Sequence, residues 1–136
     1  MKTDARDAEL LARLLKLDEI VEVVVPSVAQ EAARDLVRAR EDVRGDLMRA
    51  RHRLSKLLLR QGIVYTGGRP WTGVHDVWLR GQRFDQPPRQ LAFDAAYETM
   101  LLTVQRRDRL DAAITVMAEH GEYTDLVHRL GCLRGI

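Results

Sequence analysis

The chain is poor in cysteine, lysine and aromatic residues, and it has no long apolar run. Its single cysteine, Cys132, excludes an intrachain disulfide, and one thiol is too few for a structural zinc site unless histidines complete it. No stretch approaches the roughly 18 consecutive apolar residues of a membrane span, and the opening MKTDARDAE lacks a signal-peptide core. We therefore expect a cytoplasmic protein. Its 136 residues leave room for one core, which excludes a multi-domain enzyme.

What is present is typical of a folded protein with many arginines. Apolar residues make up 46% of the chain and charged residues 31%, which is too apolar for a disordered protein. The net charge is only +2, but lysine supplies just three of the 22 basic residues. Arginine suits bidentate contacts with phosphate, whereas a genomic base composition that favours arginine codons explains the same bias without any function.

Apolar periodicity predicts a mainly α-helical fold. Helices are predicted over residues 4–15, 28–60 and 89–120, where Gly62 ends the second and Gly121 the third, and a short fourth helix stops near Gly131. The β-branched residues before Pro26 predict an extended connector or one short strand over 20–27, where Ser27 caps the second helix. At most one short strand is therefore expected.

The second and third helices each carry an apolar seam. In the second helix it follows steps of three and four, with one polar interruption at Arg40: Ala33, Leu36, Arg40, Val43, Leu47, Ala50, Leu54 and Leu57. In the third helix it comprises Phe93, Tyr97, Met100, Leu101, Val104, Leu110, Ile114 and Met117. The two seams predict a long antiparallel coiled-coil hairpin, although pairing between two chains satisfies the same pattern. Gly45 is a point where the second helix is expected to bend or fray.

Glycine and proline punctuate residues 62–88, between the two long helices, and this segment holds both tryptophans, Trp71 and Trp78. We predict a structured loop here. His75 and Asp76 lie between the tryptophans, where an aspartate can orient a catalytic imidazole. Because no serine or cysteine nucleophile is recognisable beside them, we interpret the pair as loop packing or a nucleic-acid contact.

A basic stripe in the second helix is the candidate nucleic-acid site. The segment RARHRLSKLLLR contains no acidic residue and carries Arg49, Arg51, Arg53, Lys56 and Arg60. Such a row can contact the phosphate backbone, and the alternative is a solvated helix face. The second basic cluster, Arg106, Arg107 and Arg109, is interrupted by Asp108, which favours a solvated face there.

Asp4 and Asp7 lie three residues apart, so a helix presents both carboxylates on one face. Such a pair can share Mg²⁺ with substrate phosphates, but acids in a first helical turn are also common as caps and dipole partners. His128 and Cys132 have a spacing that resembles a metal site. Without an evident fourth ligand, we interpret them as a packed histidine and a buried thiol.

Seven segments, in order along nearly the whole chain, resemble the middle of the DEDD insertion-sequence transposases of the IS-one-ten group. They are KTDARDAELLARLL (2–15), VPS (25–27), DLVRARED (35–42), LLLRQGIVY (57–65), WTGVHDVWL (71–79), FDQP (84–87) and RLGCLRGI (129–136). The resemblance implies an enzyme that excises and inserts a mobile element. It further implies a RuvC-like nuclease domain, a coiled-coil insertion, a C-terminal serine domain, and a dimer or higher oligomer directed to DNA by a structured guide RNA.

Under this resemblance Asp4 and Asp7 are the last two acids of the DEDD set. The resemblance implies that both are catalytic and that both are ligands for Mg²⁺. The implied domains are the last RuvC-like helix (1–19), a connector (20–27), the hairpin (28–120, with loop 62–88) and the start of the serine domain (121–136). The family's first two acids and its serine domain have no counterpart in the chain. We therefore expect a fragment without catalysis of its own. A stand-alone nucleic-acid-binding or dimerisation module, and a degraded gene product, are the alternatives.

Overall fold

The computed structural model describes residues 4–17 and 25–133, and within them the fold is five helices with no strand. The helices are α1 (Asp4–Lys16), α2 (Val28–Leu59), α3 (Gly73–Arg80), α4 (Pro87–Glu119) and α5 (Thr124–Gly131). The predicted mainly α-helical fold is thus confirmed. Residues 18–24 of the predicted connector, like residues 134–136, lie outside the described residues. The chain divides into two compact units, residues 1–32 and 33–136.

The first unit contains α1 and the start of α2. α1 carries acids in its first turn and bases, Arg13 and Lys16, in its last, as the helix dipole favours. Ser27 and Gln30 form a capping box at α2: the Gln30 amide donates to Ser27 Oγ (3.2 Å), and the Ser27 amide donates to Gln30 Oε1 (3.0 Å). The predicted Ser27 cap is therefore confirmed.

The second unit is an antiparallel hairpin of α2 and α4. At its open end, residues 33–38 of α2 face residues 114–118 of α4. Further along, Arg51 of α2 faces residues 100–107 of α4, so the two helices run in opposite directions. Between these points Arg40 Nε donates to Asp111 Oδ1 at 2.7 Å. The expected hairpin is thus formed within one chain.

Both predicted seams lie inside the hairpin, where every member is buried or half-buried. The fully buried core lies toward the loop end and consists of Leu47, Ala50, Leu54, Leu58, Leu79, Phe93 and Met100. The polar interruption Arg40 is accommodated because Asp111 on the facing helix pairs with it. α2 continues through Gly45, so the expected fraying there is wrong, while the bend expected as its alternative stays a prediction.

The predicted stop at Gly62 is confirmed by its backbone geometry. Gly62 adopts a left-handed conformation (φ 72°), the Ile63 amide donates to the Leu58 carbonyl and the Gly62 amide to the Leu59 carbonyl. This is a Schellman motif, which requires a residue that tolerates positive φ. At the other side of the loop, α4 begins with two prolines, which the first helical turn accepts because its amides lack helical partners.

The loop of residues 62–88 contains a helix that the sequence analysis missed. α3 is capped by Thr72, whose Oγ1 accepts from the His75 amide (3.4 Å), and it inserts Leu79 into the core. At the open end α5 packs against α4. None of the helices in the described part of the chain combines the length and apolarity that a bilayer crossing requires.

Candidate nucleic-acid interface

Helical geometry divides the predicted basic stripe between two surfaces. At about 100° per residue, Arg49, Arg53, Lys56 and Arg60 fall within an arc of about 60°, whereas Arg51 lies on the other side of α2. The four residues of the first group are all exposed, and we call them the basic face. Arg51 is half-buried against the loop instead. The five predicted binding residues therefore do not share one surface.

The basic face carries little compensating negative charge. Arg49 pairs with Asp46 one turn earlier (Nη2 to Oδ1, 2.5 Å), and this pair is solvent-exposed, so it contributes little to stability. Beyond Asp46, α2 contains no further acidic residue before its end. Three exposed cations thus follow Arg49 without an intervening acid, and such a row of cations can contact a phosphate backbone.

Arg51 belongs to the aromatic loop. Its guanidinium carbon lies 5.1 Å from the centroid of the Trp71 ring, a cation–π contact. Its Nε is buried and has no hydrogen-bond partner in the described part of the chain. Burial, and then the positive charge of Arg107, lower the pKa of Arg51 from its ordinary value. Sequence reasoning could have separated Arg51 from the basic face by helical spacing alone.

His75 holds the loop together as a buried, neutral side chain. Its Nδ1 accepts a hydrogen bond from the Trp71 amide (3.1 Å), and its ring contacts those of Tyr65, Trp71 and Trp78. Burial lowers its pKa, with Asp76 opposing and Arg51 reinforcing that shift. The packing interpretation of His75 is therefore confirmed.

Asp76 is hydrogen-bonded to residues other than His75. The Tyr97 hydroxyl donates to Oδ1 (2.6 Å), and Arg80 Nε donates to Oδ2 (2.9 Å). Burial is the first cause that raises the pKa of Tyr97, and its hydrogen bond to Asp76 is the second. The network ties α3 to α4 and so fixes the aromatic loop on the hairpin.

The second basic cluster is divided in the same way. Arg106 and Arg109 are exposed, while Arg107 is half-buried, pairs with Asp108 (2.5 Å) and approaches Asp111 (3.9 Å). The acids thus neutralise part of this cluster, as the interspersed Asp108 suggested. Asp111 also accepts from Arg40, and this hydrogen bond is the main cause of its lowered pKa.

Asp4 and Asp7 lie in the first turn of α1, both exposed. Their oxygens are ligands that Mg²⁺ accepts, and the same positions suit the helix dipole. Within residues 4–17 and 25–133, no group of three or more histidine, cysteine, aspartate or glutamate side chains could hold a metal.

His128 and Cys132 are exposed on and just after α5, so the expectation of a packed histidine and a buried thiol was wrong. Leu126 and Val127 of α5 line a groove at the open end of the hairpin, and His128 and Cys132 are not among its lining residues. The Cys132 thiol donates instead to the His128 carbonyl at 3.3 Å.

Two proteins of known description are similar to this chain. The "Putative transposase y4qE" of Sinorhizobium fredii is 42% identical over 74% of the chain and 26% of its own length. The transposase for insertion sequence element IS1533 of Leptospira borgpetersenii is 36% identical over the whole chain and 40% of its own length. No family model and no solved structure matches the chain.

The expected resemblance to transposases is confirmed, because both relatives carry that description and one belongs to an insertion sequence. The chain spans less than half the length of either relative. Neither description names the IS-one-ten group, a DEDD set of acids or a guide RNA, which stay predictions.

Proposed function

We propose that this chain acts in the transposition of an insertion sequence, as a helical part of a transposase that binds DNA. The basic face carries the proposal, because it presents Arg49, Arg53, Lys56 and Arg60 together on an exposed helix. The similarity to an insertion-sequence transposase over the whole chain supports DNA as the polymer. In this proposal the chain supplies contacts to the nucleic acid.

The salt dependence of duplex binding tests this proposal. If the basic face neutralises four phosphates, the slope of log K against log salt is about −3.6, and each Arg→Gln or Lys→Gln change on that face reduces it by about 0.9. Fluorescence anisotropy of a labelled duplex measures the slope. Arg83→Gln, an exposed arginine in the loop before α4, serves as the matched control. Equal losses in Arg53→Gln and Arg83→Gln would contradict the proposal.

We also propose that the same face contacts a structured guide RNA. Its support is the resemblance to the IS-one-ten group, together with the fact that phosphate contacts do not depend on base sequence. Competition between a folded RNA and a DNA duplex of equal length, measured on the basic-face variants, tests it. Tighter binding of the folded RNA that depends on Arg53 is expected, whereas exclusive binding of duplex DNA would contradict it.

For Asp4 and Asp7 we propose the metal role that the resemblance implies. Two carboxylates one helical turn apart fit part of a Mg²⁺ site, and water, substrate phosphates and residues elsewhere supply the other ligands. Bound Mg²⁺ would stabilise negative charge on a phosphate. Mn²⁺ should broaden the amide resonances of the first turn of α1, and Asp7→Asn should abolish that broadening. Broadening unchanged in Asp7→Asn would remove both residues from the proposed site.

We further propose that two copies associate at the open end of the hairpin. An apolar groove of about 540 Å³ lies there, with Val37 and Leu126 each about half exposed. Contiguous exposed apolar surface of this kind marks interaction sites on soluble proteins. The same groove supports the second candidate function, a stand-alone binding and dimerisation module, because neither the groove nor the basic face requires Asp4 or Asp7.

A further inference from the structure

Two cavities meet between the hairpin and the aromatic loop. One, of about 340 Å³, extends along α3 and α4, and the other, of about 460 Å³, extends along α2. Three side chains line both of them: Arg51, Trp71 and Arg107. We call this shared region the arginine cleft. It is separate from the basic face, which lies on the other side of α2.

The arginine cleft brings two positive charges together without full compensation. Arg107 has Asp108 and Asp111 nearby. Asp76 also lines the first cavity, but it accepts hydrogen bonds from Arg80 and Tyr97. Burial and the charge of Arg107 lower the pKa of Arg51, and no acidic group opposes that shift. The buried Arg51 Nε also lacks a hydrogen-bond acceptor. An unsatisfied donor and a like-charge neighbour both favour an anion at this point.

The local backbone adds to this preference. Thr72 and Gly73, at the N-terminus of α3, line the first cavity, where the helix dipole favours negative charge. No atom lies within 4 Å of the position that a Cβ of Gly73 would take, so this approach is open. Trp71 is held beside it at φ 64°, a conformation that bulky residues rarely adopt.

We propose that the arginine cleft binds a phosphate group of a single nucleic-acid strand through Arg51 and Arg107. A cavity of about 340 Å³ accommodates a ligand of nucleotide size, whereas a duplex requires an open surface such as the basic face. The choice of nucleic acid rests on the proposed function, while the choice of an anion rests on the two arginines. The chain thus has separate contacts for duplex and for single strand.

Trp71 reports directly on this site. In the full-length Trp78→Phe variant it is the one tryptophan left in the sequence, so its emission follows occupation of the arginine cleft. A single-stranded thymidine 12-mer should change that emission. Adding Arg51→Gln should weaken binding about tenfold and lower the salt slope by about 0.7. Arg89→Gln, an exposed arginine at the start of α4, should change the affinity less than twofold.

A measurement on the unsubstituted chain keeps the test independent of the folding of Trp78→Phe. The Arg51 Nε–H resonance, assigned by its loss in Arg51→Gln, should shift when the 12-mer is added. Equal affinities of Arg51→Gln and Arg89→Gln for the 12-mer, or an unmoved Nε–H resonance, would overturn the proposal. A response to inorganic phosphate but not to the strand would overturn the nucleic-acid assignment.

Duplex binding measured on the same variants distinguishes the two proposals. Loss of strand binding in Arg51→Gln with an unchanged duplex slope supports the arginine cleft as a second site. If duplex binding does not depend on the basic face but strand binding depends on Arg51, the proposed function of the basic face is contradicted. The proposal for the arginine cleft is then retained.

Discussion

At the scale of the residue, the aromatic loop depends on one buried imidazole. His75 is 5% exposed, and it accepts a hydrogen bond from the amide of Trp71. The left-handed backbone of Trp71 costs roughly 1–2 kcal/mol, because this residue has a Cβ. The hydrogen bond from the Trp71 amide helps to hold this strained backbone. Protonation of His75 at Nδ1 would remove the acceptor of that bond. The neutral form of His75 is therefore the one that the fold stabilises.

We predict that acid destabilises the protein through His75. Because its pKa in the folded state is lowered below 6.5, the unfolded state binds the proton more readily. The stabilising contribution of neutral His75 is fully present above about pH 6.5 and is lost as the pH falls toward the lowered value. Urea unfolding at a series of pH values should show this decline, and it should be smaller in His75→Asn, whose amide oxygen can replace the acceptor.

The control for this prediction is His52→Asn, which changes an exposed histidine on α2. It should retain the pH dependence of the unsubstituted chain. If His75→Asn and His52→Asn show the same decline with acid, the titration that matters lies elsewhere.

At the scale of the element, what could be predicted depended on helix length. α2 and α4 were predictable because 32 and 33 residues give many repeats of the apolar seam, and Ser27 and Gly62 are strong boundary signals. α3 has only eight residues, so it owes its stability to the burial of Leu79 and to the Asp76–Tyr97 hydrogen bond. Neither contact can be inferred from local sequence.

The candidate site shows the same division. The basic face can be predicted, because the positions of its charged residues and their helical spacing can both be read from the sequence. The arginine cleft could not be predicted, because it requires Arg51 and Arg107, which are far apart in the chain, to meet beside Trp71. The pairing of Arg40 with Asp111 lies between these cases: a charged residue in an apolar seam indicates a partner without identifying it.

We predict that Arg40 and Asp111 set the register of the hairpin. Arg40→Asp should lower the melting temperature, because it places two carboxylates together in the seam, and the double variant Arg40→Asp/Asp111→Arg should recover most of that loss. Circular dichroism melts of both proteins measure the recovery. Arg38→Asp, which affects an exposed intrahelical pair, is the comparison. No recovery in the double variant would show that the pair does not determine register.

At the scale of the whole molecule, the hairpin is unevenly packed. The fully buried core lies toward the loop, whereas the open end has half-buried seam residues and an exposed apolar groove. A second copy that covers this groove would complete the burial that one chain leaves unfinished.

We predict that association depends on that groove. Val37→Glu, which places a charge on the groove wall, should shift the chain toward the monomer in sedimentation-velocity experiments, while leaving its helical signal unchanged. Val74→Glu, at an exposed position of α3, is the matched control and should leave the association constant unaltered. Equal effects of the two variants, or a chain that is monomeric at all concentrations, would contradict self-association through the groove.

Because α4 returns to residues 33–38 of α2, the hairpin can move as an arm. Residues 33–38 of α2 and 114–118 of α4 lie together at the open end, which is the base of the arm. Residues 33–59 of α2 extend about 40 Å from this base. The basic face and the arginine cleft lie toward the far end. If the base is held, a tilt of about 10° displaces that end by about 7 Å, or roughly two steps along a duplex. Under the proposed function, small rotations at the base therefore become changes of register on the nucleic acid.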